Sequence, residues 1–175
     1  AAGKAHQIPK NLEEENIFTN INVIGTKNLL AAFSKDNLPS KFIYISSSMV
    51  YGDFDDDVTE DFNCKPQGQY GIMKLMGEHL VKDYTRRGCF DHTIIRPSAV
   101  YGPLDVEDRV VSKFMLTAMR GGVLRVNGAN ETLDFTYVDD AADGVVAAAL
   151  VPAAANQTFN ITKSHSVSLL QAAEM

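Results

Sequence analysis

Short apolar, β-rich runs alternate with helical segments along most of this chain, and that alternation restricts its fold more than any other feature. Lys41-Phe42-Ile43-Tyr44-Ile45-Ser46 reads as a buried strand and His92 to Arg96 as a second. A helix over 69–87 lies between them, and a long helix over 12–35 precedes them. A further helix near 109–120 is stopped by Gly121-Gly122. Short strands at 123–126 and 157–161 flank a helix that starts after Asp139-Asp140, an N-cap pair, and a final helix runs from Val167 to Met175. Strands separated by helices imply parallel pairing through right-handed crossovers. The expected class is therefore α/β, a parallel sheet with helices on both faces. Such open sheets bind their ligands beyond the carboxyl ends of the strands.

The helix at 69–87 holds the chain's most chemical pattern, Tyr70-Gly71-Ile72-Met73-Lys74. Residues four apart share a helix face, one turn above the other, so a Lys ammonium stands close to a Tyr phenol without help from a loop. A free phenol titrates near ~10 and is a poor base at neutral pH. A neighbouring cation favours the phenolate, and so does a donated hydroxyl. A shift of ~3 units corresponds to about 4 kcal/mol of differential stabilisation, within reach of a partly buried cation plus a second positive charge. The outcome is a general acid/base suited to removing or returning a hydroxyl proton. Ser46-Ser47-Ser48 ends the first strand, and Arg96-Pro97-Ser98-Ala99-Val100-Tyr101-Gly102-Pro103 ends the second.

Composition sets the surroundings. At 175 residues the chain is long enough for a real core, and 45% hydrophobic with 22% charged residues is ordinary for a globular protein. A net charge of -6 argues against a nucleic-acid surface. Only Cys64 and Cys89 are present, which gives no disulfide framework. There is no apolar run near membrane-spanning length and no signal peptide, so a cytoplasmic protein with no membrane partner is expected. The Ala-rich stretch Ala141 to Ala155 is interrupted by Asp143 and Pro152 and reads as a packed helix. His6, His79, His92 and His165 lack metal-ligand spacing, and Asp53 to Asp57 reads as a solvated loop, so no metal is expected.

In their order along the chain these segments resemble a known family. Asn22-Val23-Ile24-Gly25-Thr26, Ile45 to Gly52, Tyr70 to Lys74, Arg96 to Pro103 and Asp134-Phe135-Thr136-Tyr137-Val138-Asp139-Asp140 are similar to motifs of the extended short-chain dehydrogenase/reductase superfamily, its NAD-dependent epimerase/dehydratase group. The resemblance implies a Rossmann-type sheet, NAD or NADP as cofactor, and hydride transfer assisted by a Tyr and a Lys. It also implies a division of the chain. Residues 1–103 would be the C-terminal part of the dinucleotide-binding domain, and 104–175 segments of a small substrate lobe with elements returning to the sheet. The family's Gly-x-x-Gly-x-x-Gly turn, whose helix N-terminus holds the pyrophosphate, does not occur here. The expectation is an incomplete enzyme whose 175 residues alone bind the dinucleotide poorly.

Site residues follow from the resemblance position by position. Tyr70 corresponds to the proton carrier and Lys74 to the residue that lowers its pKa and holds the cofactor ribose. Ser47, four residues before the Tyr of Val50-Tyr51-Gly52, corresponds to the catalytic hydroxyl, with Ser48 beside it toward substrate. Serines also suit strand ends for purely structural reasons. Asn22 corresponds to a cofactor-side contact, with helix packing as the alternative. Ala2 lies in a segment similar to the family's strand end midway through the cofactor half, and Lys4 where some epimerases place a cofactor-loop lysine. Pro97 and Val100 fall in the stretch whose backbone turns toward the nicotinamide, although a turn-forming proline explains Pro97 as well. Arg96 and Arg109 are the expected substrate contacts on their charge rather than on the resemblance, and Arg120 and Arg125 are further cations that could serve a phosphate.

Two positions narrow the chemistry. Sugar 4,6-dehydratases have Thr-Asp-Glu where this chain has Ser47-Ser48-Met49, and Met49 is neither acid nor base, which disfavours dehydration by that route. Members that grip a nucleoside diphosphate usually have Arg immediately before the Asp-Phe pair, where this chain has Leu133. A nucleotide-sugar substrate is the leading expectation. A reductase or dehydrogenase of a non-nucleotide carbonyl and a non-catalytic dinucleotide-sensing relative are the alternatives. The resemblance further implies a homodimer built from the helices at 12–35 and 69–87, with Leu29, Phe33, Leu75, Leu80 and Tyr84 as candidates.

Overall fold

Leu30, Tyr44, Val81, Phe90 and Ile94 close a core in which two helices cover one side of a parallel strand pair, and Phe33, Phe42, Leu80, Tyr84 and Cys89 pack around it. The computed structural model describes residues 9–35, 41–53, 58–105 and 109–175. Ala2 and Lys4, together with most of the Asp53 to Asp57 loop, lie outside the described residues.

Helix α1 (Leu12–Thr19) begins at Asn11, whose side chain accepts from the Glu14 amide, with three glutamates in its first turn favoured by the helix dipole. It continues through a π-helical turn, Asn20–Ile24, into α2 (Gly25–Phe33). The single long helix expected over 12–35 is thus interrupted: one widened turn brings Asn22 and Val23 inward to a second small core with Phe18 and Met73. Strand β1 (Lys41–Ile45) is followed by a 3-10 turn, Ser48–Val50, and then by α3 (Gly68–Arg86). Strand β2 (Asp91–Pro97) pairs in parallel with β1, Ile45 opposite Ile95.

Strand β3 (Val100–Tyr101), helix α4 (Val110–Met119), β4 (Thr132–Asp134) and β5 (Thr136–Tyr137) follow. Then come α5 (Val138–Leu150), a 3-10 turn at Pro152–Ala154, β6 (Gln157–Ile161), β7 (Ser166–Ser168) and α6 (Leu169–Glu174). Strands β1, β2 and β6 form one sheet in that order, β3 pairs in parallel with β5, and β4 is antiparallel to β7. Three expectations change here. Residues 123–126 have strand composition but no ladder among the described residues, and the strand falls instead at 132–134, where Leu133 pairs with Val167. Asp139 and Asp140 sit in the first turn of α5 rather than before it, where carboxylates still complement the helix dipole. Val167 belongs to β7, and α6 starts only after Ser168, which forms a capping box with Gln171.

The chain divides into two units. The first holds residues 1–96 and 146–160, and the second 97–145 and 161–175. They alternate along the chain: the second begins at residue 97, and residues 146–160 return to the first. No helix among the described residues is long and apolar enough to cross a membrane.

Candidate active site

The first unit places the Tyr-Lys face of α3 against the segment that leaves β1. A Cβ added at Gly71 would run into the Met49 carbonyl, and one at Gly77 into the Tyr44 phenol, so both glycines permit a backbone approach that a larger residue would block. Lys74 lies between them. Its Nζ donates to the Ile45 carbonyl at 2.9 Å and stands 5.6 Å from the centroid of the Tyr70 ring and 5.3 Å from that of Tyr44. Burial lowers the Lys74 pKa. Ser47 closes β1 with an extended backbone, is buried, and its Oγ accepts from the Met49 amide at 3.2 Å, which caps the short turn. Ser48 begins that turn and is half-buried. Tyr70, Lys74 and Ser47 are therefore assembled on elements that touch at residues 45–49.

Asn22 is buried in the π-turn, and its carbonyl accepts from Thr26 Oγ1 at 2.7 Å. Tyr44 is pushed above its ordinary pKa by burial, with the charges of Glu78 and Tyr70 adding to the effect. Its hydroxyl donates to the Lys74 carbonyl at 3.4 Å.

Arg96 requires a correction. It was expected to reach substrate, yet its side chain is 4% exposed and paired with Glu78, itself 1% exposed. Nε and Nη2 donate to the two carboxylate oxygens at 2.9 and 2.7 Å, while Nη1 donates to the Tyr51 hydroxyl at 2.8 Å and the Glu60 carbonyl at 3.1 Å. Tyr51 passes a hydrogen bond to Asn160 Oδ1 at 2.7 Å, and Ser46 Oγ donates to Glu78 Oε1 at 2.6 Å. With its guanidinium committed in this way, Arg96 belongs to the framework. Glu78 is not marked by the sequence reading, which takes Ser46 and Tyr51 only as members of the motifs that follow the first strand. The available signal was position: Glu78 follows Lys74 by four residues, on the face of α3 that carries Tyr70.

The remaining candidates belong to the second unit. Pro97 ends β2, and Val100 in β3 pairs with Thr136. Arg109 precedes α4, and its Nε lies 3.6 Å from Asp105 Oδ2, with about a third of its side chain exposed. Among the described residues no cluster of His, Cys, Asp or Glu is arranged to hold a metal, and both cysteines are free.

The donor set of the first unit fits a nicotinamide ribose. Lys74 has three N–H donors, of which the Ile45 carbonyl takes one, beside a phenol at the carboxyl end of a parallel strand. A trifunctional UDP-glucose 4,6-dehydratase/3,5-epimerase/reductase of Arabidopsis thaliana is 33% identical over 131 residues, 72% of this chain and 20% of that protein. The dTDP-D-glucose 4,6-dehydratase of Homo sapiens is 29% identical, covering 90% of this chain and 45% of its own length. UDP-glucuronic acid 4-epimerase from Bacillus cereus, solved with UDP-glucuronic acid and NAD, superposes with a TM-score of 0.89 at 31% identity, over 97% of this chain and 54% of that one. The chain thus spans about half the length of the last two relatives, or less of the first. The profile of the NAD dependent epimerase/dehydratase family matches residues 1–162, and to that family this chain belongs.

Proposed function

We propose that the whole protein is an NAD-dependent epimerase or oxidoreductase of a nucleotide-sugar. The observation that supports this reading is the packing of α3 against residues 45–49, with Gly71 against the Met49 carbonyl and Lys74 on the Ile45 carbonyl, the segment that carries Ser47. When bound, the nicotinamide supplies the acceptor and donor of hydride. Tyr70 takes the proton of a sugar hydroxyl as that carbon becomes a carbonyl, and returns it when the carbonyl is reduced again. Lys74 favours the phenolate and holds the ribose hydroxyls. Ser47 Oγ orients the reacting oxygen, with Ser48 and Arg109 as further substrate contacts. The resemblance assigns cofactor contacts to Asn22 in the first unit and to Pro97 and Val100 in the second, and the same to Ala2 and Lys4, which lie outside the described residues.

NAD is preferred to NADP, because the Bacillus cereus epimerase was solved with NAD, as was MoeE5. Those two proteins hold UDP-glucuronic acid and UDP-glucose, which supports a nucleotide-sugar here. Leu133, where a phosphate-binding Arg is usual, favours a second reading, reduction of a non-nucleotide carbonyl. A cytoplasmic location accords with the two free cysteines.

A homodimer is proposed on a partly different set of residues from that read in the sequence: Leu29 stays exposed and is kept. Phe33, Leu80 and Tyr84 pack into the core. Ile17, Ile21 and Ile24 instead form an exposed apolar row at helical spacing, and α3 exposes Ile72 and Met76. A two-fold contact would bury both rows twice.

The deciding experiment incubates the full-length protein with NAD and UDP-sugars and follows epimer interconversion by NMR. Interconversion establishes the first reading. Reduction of simple carbonyls without it establishes the second, and inertness toward every sugar, alcohol and carbonyl removes both.

A further inference from the structure

Glu78 stands one turn beyond Lys74 and two beyond Tyr70, and its carboxylate joins three elements. Oε1 accepts from Ser46 Oγ at 2.6 Å and from Arg96 Nε at 2.9 Å, and Oε2 accepts from Arg96 Nη2 at 2.7 Å. Ser46 immediately precedes Ser47, and its amide donates to the Ile95 carbonyl at 2.6 Å, one residue before Arg96 on β2. Lys74 in turn donates to Ile45. Successive inward residues of α3 thus grip successive residues at the end of β1: Glu78 on Ser46, Lys74 on Ile45. A buried carboxylate is tolerated only when paired and fully hydrogen-bonded, and an apolar side chain of similar volume would pack as well. What the apolar residue would lack is direction, since hydrogen bonds fix one register where van der Waals contact tolerates several.

We propose that Glu78, held by Arg96, is a positioning residue for proton transfer: it fixes the register of α3 on the end of β1, so that Tyr70 and Lys74 meet Ser47 at one spacing. The proposal rests on the assignment of Tyr70 as proton carrier. Among the described residues, the charged and titratable groups acting around Tyr70 include Lys74 from its own helix and Tyr44 from β1, with Glu78 acting on Tyr44 in turn. A slip of α3 alters the Lys74 contribution first, because that ammonium is tethered to Ile45.

The test uses Ser46→Ala in the full-length protein. This change deletes the link from Glu78 to β1 and leaves the Glu78–Arg96 pair intact, so that no buried charge is orphaned. The Tyr70 phenol is titrated by NMR of isotope-labelled tyrosine Cζ, assigned by its loss in Tyr70→Phe, and turnover with NAD and a UDP-sugar is measured in parallel. Ser46→Ala is expected to raise the phenol midpoint by about half a unit. It should lower kcat roughly tenfold while KM stays within about twofold, and Ser46→Thr should restore both. A Ser46→Ala protein that melts lower but keeps the wild-type midpoint and kcat overturns the positioning role. If Tyr70→Phe itself retains turnover, the proton-carrier reading fails, and an unchanged or raised midpoint in Ser46→Ala still decides the register claim.

Discussion

The Lys74 ammonium lies 5.6 Å from the centre of the Tyr70 ring and is tied to the strand beside it by the Ile45 carbonyl. One helix turn sets the separation of the two side chains, and one hydrogen bond across to β1 keeps the cation there. Tyr70→Phe removes the proton carrier with the ring retained, and turnover of the full-length enzyme should fall by about 10²-fold or more. Lys74→Met should lower both turnover and NAD affinity, since the cation serves phenol and ribose together. Stopped-flow rates and calorimetric titration separate the two effects, and a Tyr70→Phe enzyme of normal rate would remove Tyr70 from the mechanism.

Breaking the buried pair by Arg96→Met leaves Glu78 without its counter-charge. A loss of about 3–5 kcal/mol of stability is expected in denaturant unfolding. The double variant Glu78→Leu with Arg96→Met should recover most of it, because both charges leave together. Stability and proton transfer are then separable: the double variant should fold well and turn over slowly.

Gly77→Ala drives a methyl into the Tyr44 phenol, and Tyr44 on β1 is buried in one core cluster with Val81 of α3 and Ile94 of β2. Overpacking of this kind costs about 1–3 kcal/mol. Tyr44→Leu, which vacates the space, should rescue Gly77→Ala by more than the two separate effects would sum to, read from thermal unfolding of all four proteins.

His92 is buried in β2 with Nδ1 2.9 Å from Thr85 Oγ1, and its pKa lies below the ordinary 6.5, through burial first and the nearby Lys82 charge second. Between the folded value and 6.5 the unfolded chain binds more protons, so stability falls as pH drops through that window and is regained as pH rises. His92→Asn should flatten the slope there relative to the wild type, measured as unfolding free energy against pH. Equal slopes in the two proteins would exclude His92 as its source.

Ile21→Glu combined with Met76→Glu places charges on both exposed apolar rows. Light scattering at micromolar concentration should then give the monomer mass, where the parent gives twice that mass. A parent that is already monomeric disposes of the interface.

The sequence by itself determined whatever depends on near neighbours. The Tyr70–Lys74 pairing follows from helix periodicity, and the β1 and β2 strands from short apolar runs bounded by turns. The ordered motifs identified the family. Tertiary structure decided what depends on residues far apart in the chain. The strand at 132–134 exists because Ser166–Ser168 lies beside it, whereas 123–126, richer in strand-forming residues, has no partner among the described residues. The widened turn at Asn20–Ile24 answers to the packing of Phe18, Val23 and Met73, which no local propensity encodes. Arg96 looks like an anion ligand in sequence and becomes a buried strut only because Glu78, eighteen residues earlier on another element, is turned inward to meet it. A charged side chain takes its role from the partner that satisfies it, and in this protein that partner is supplied by the fold.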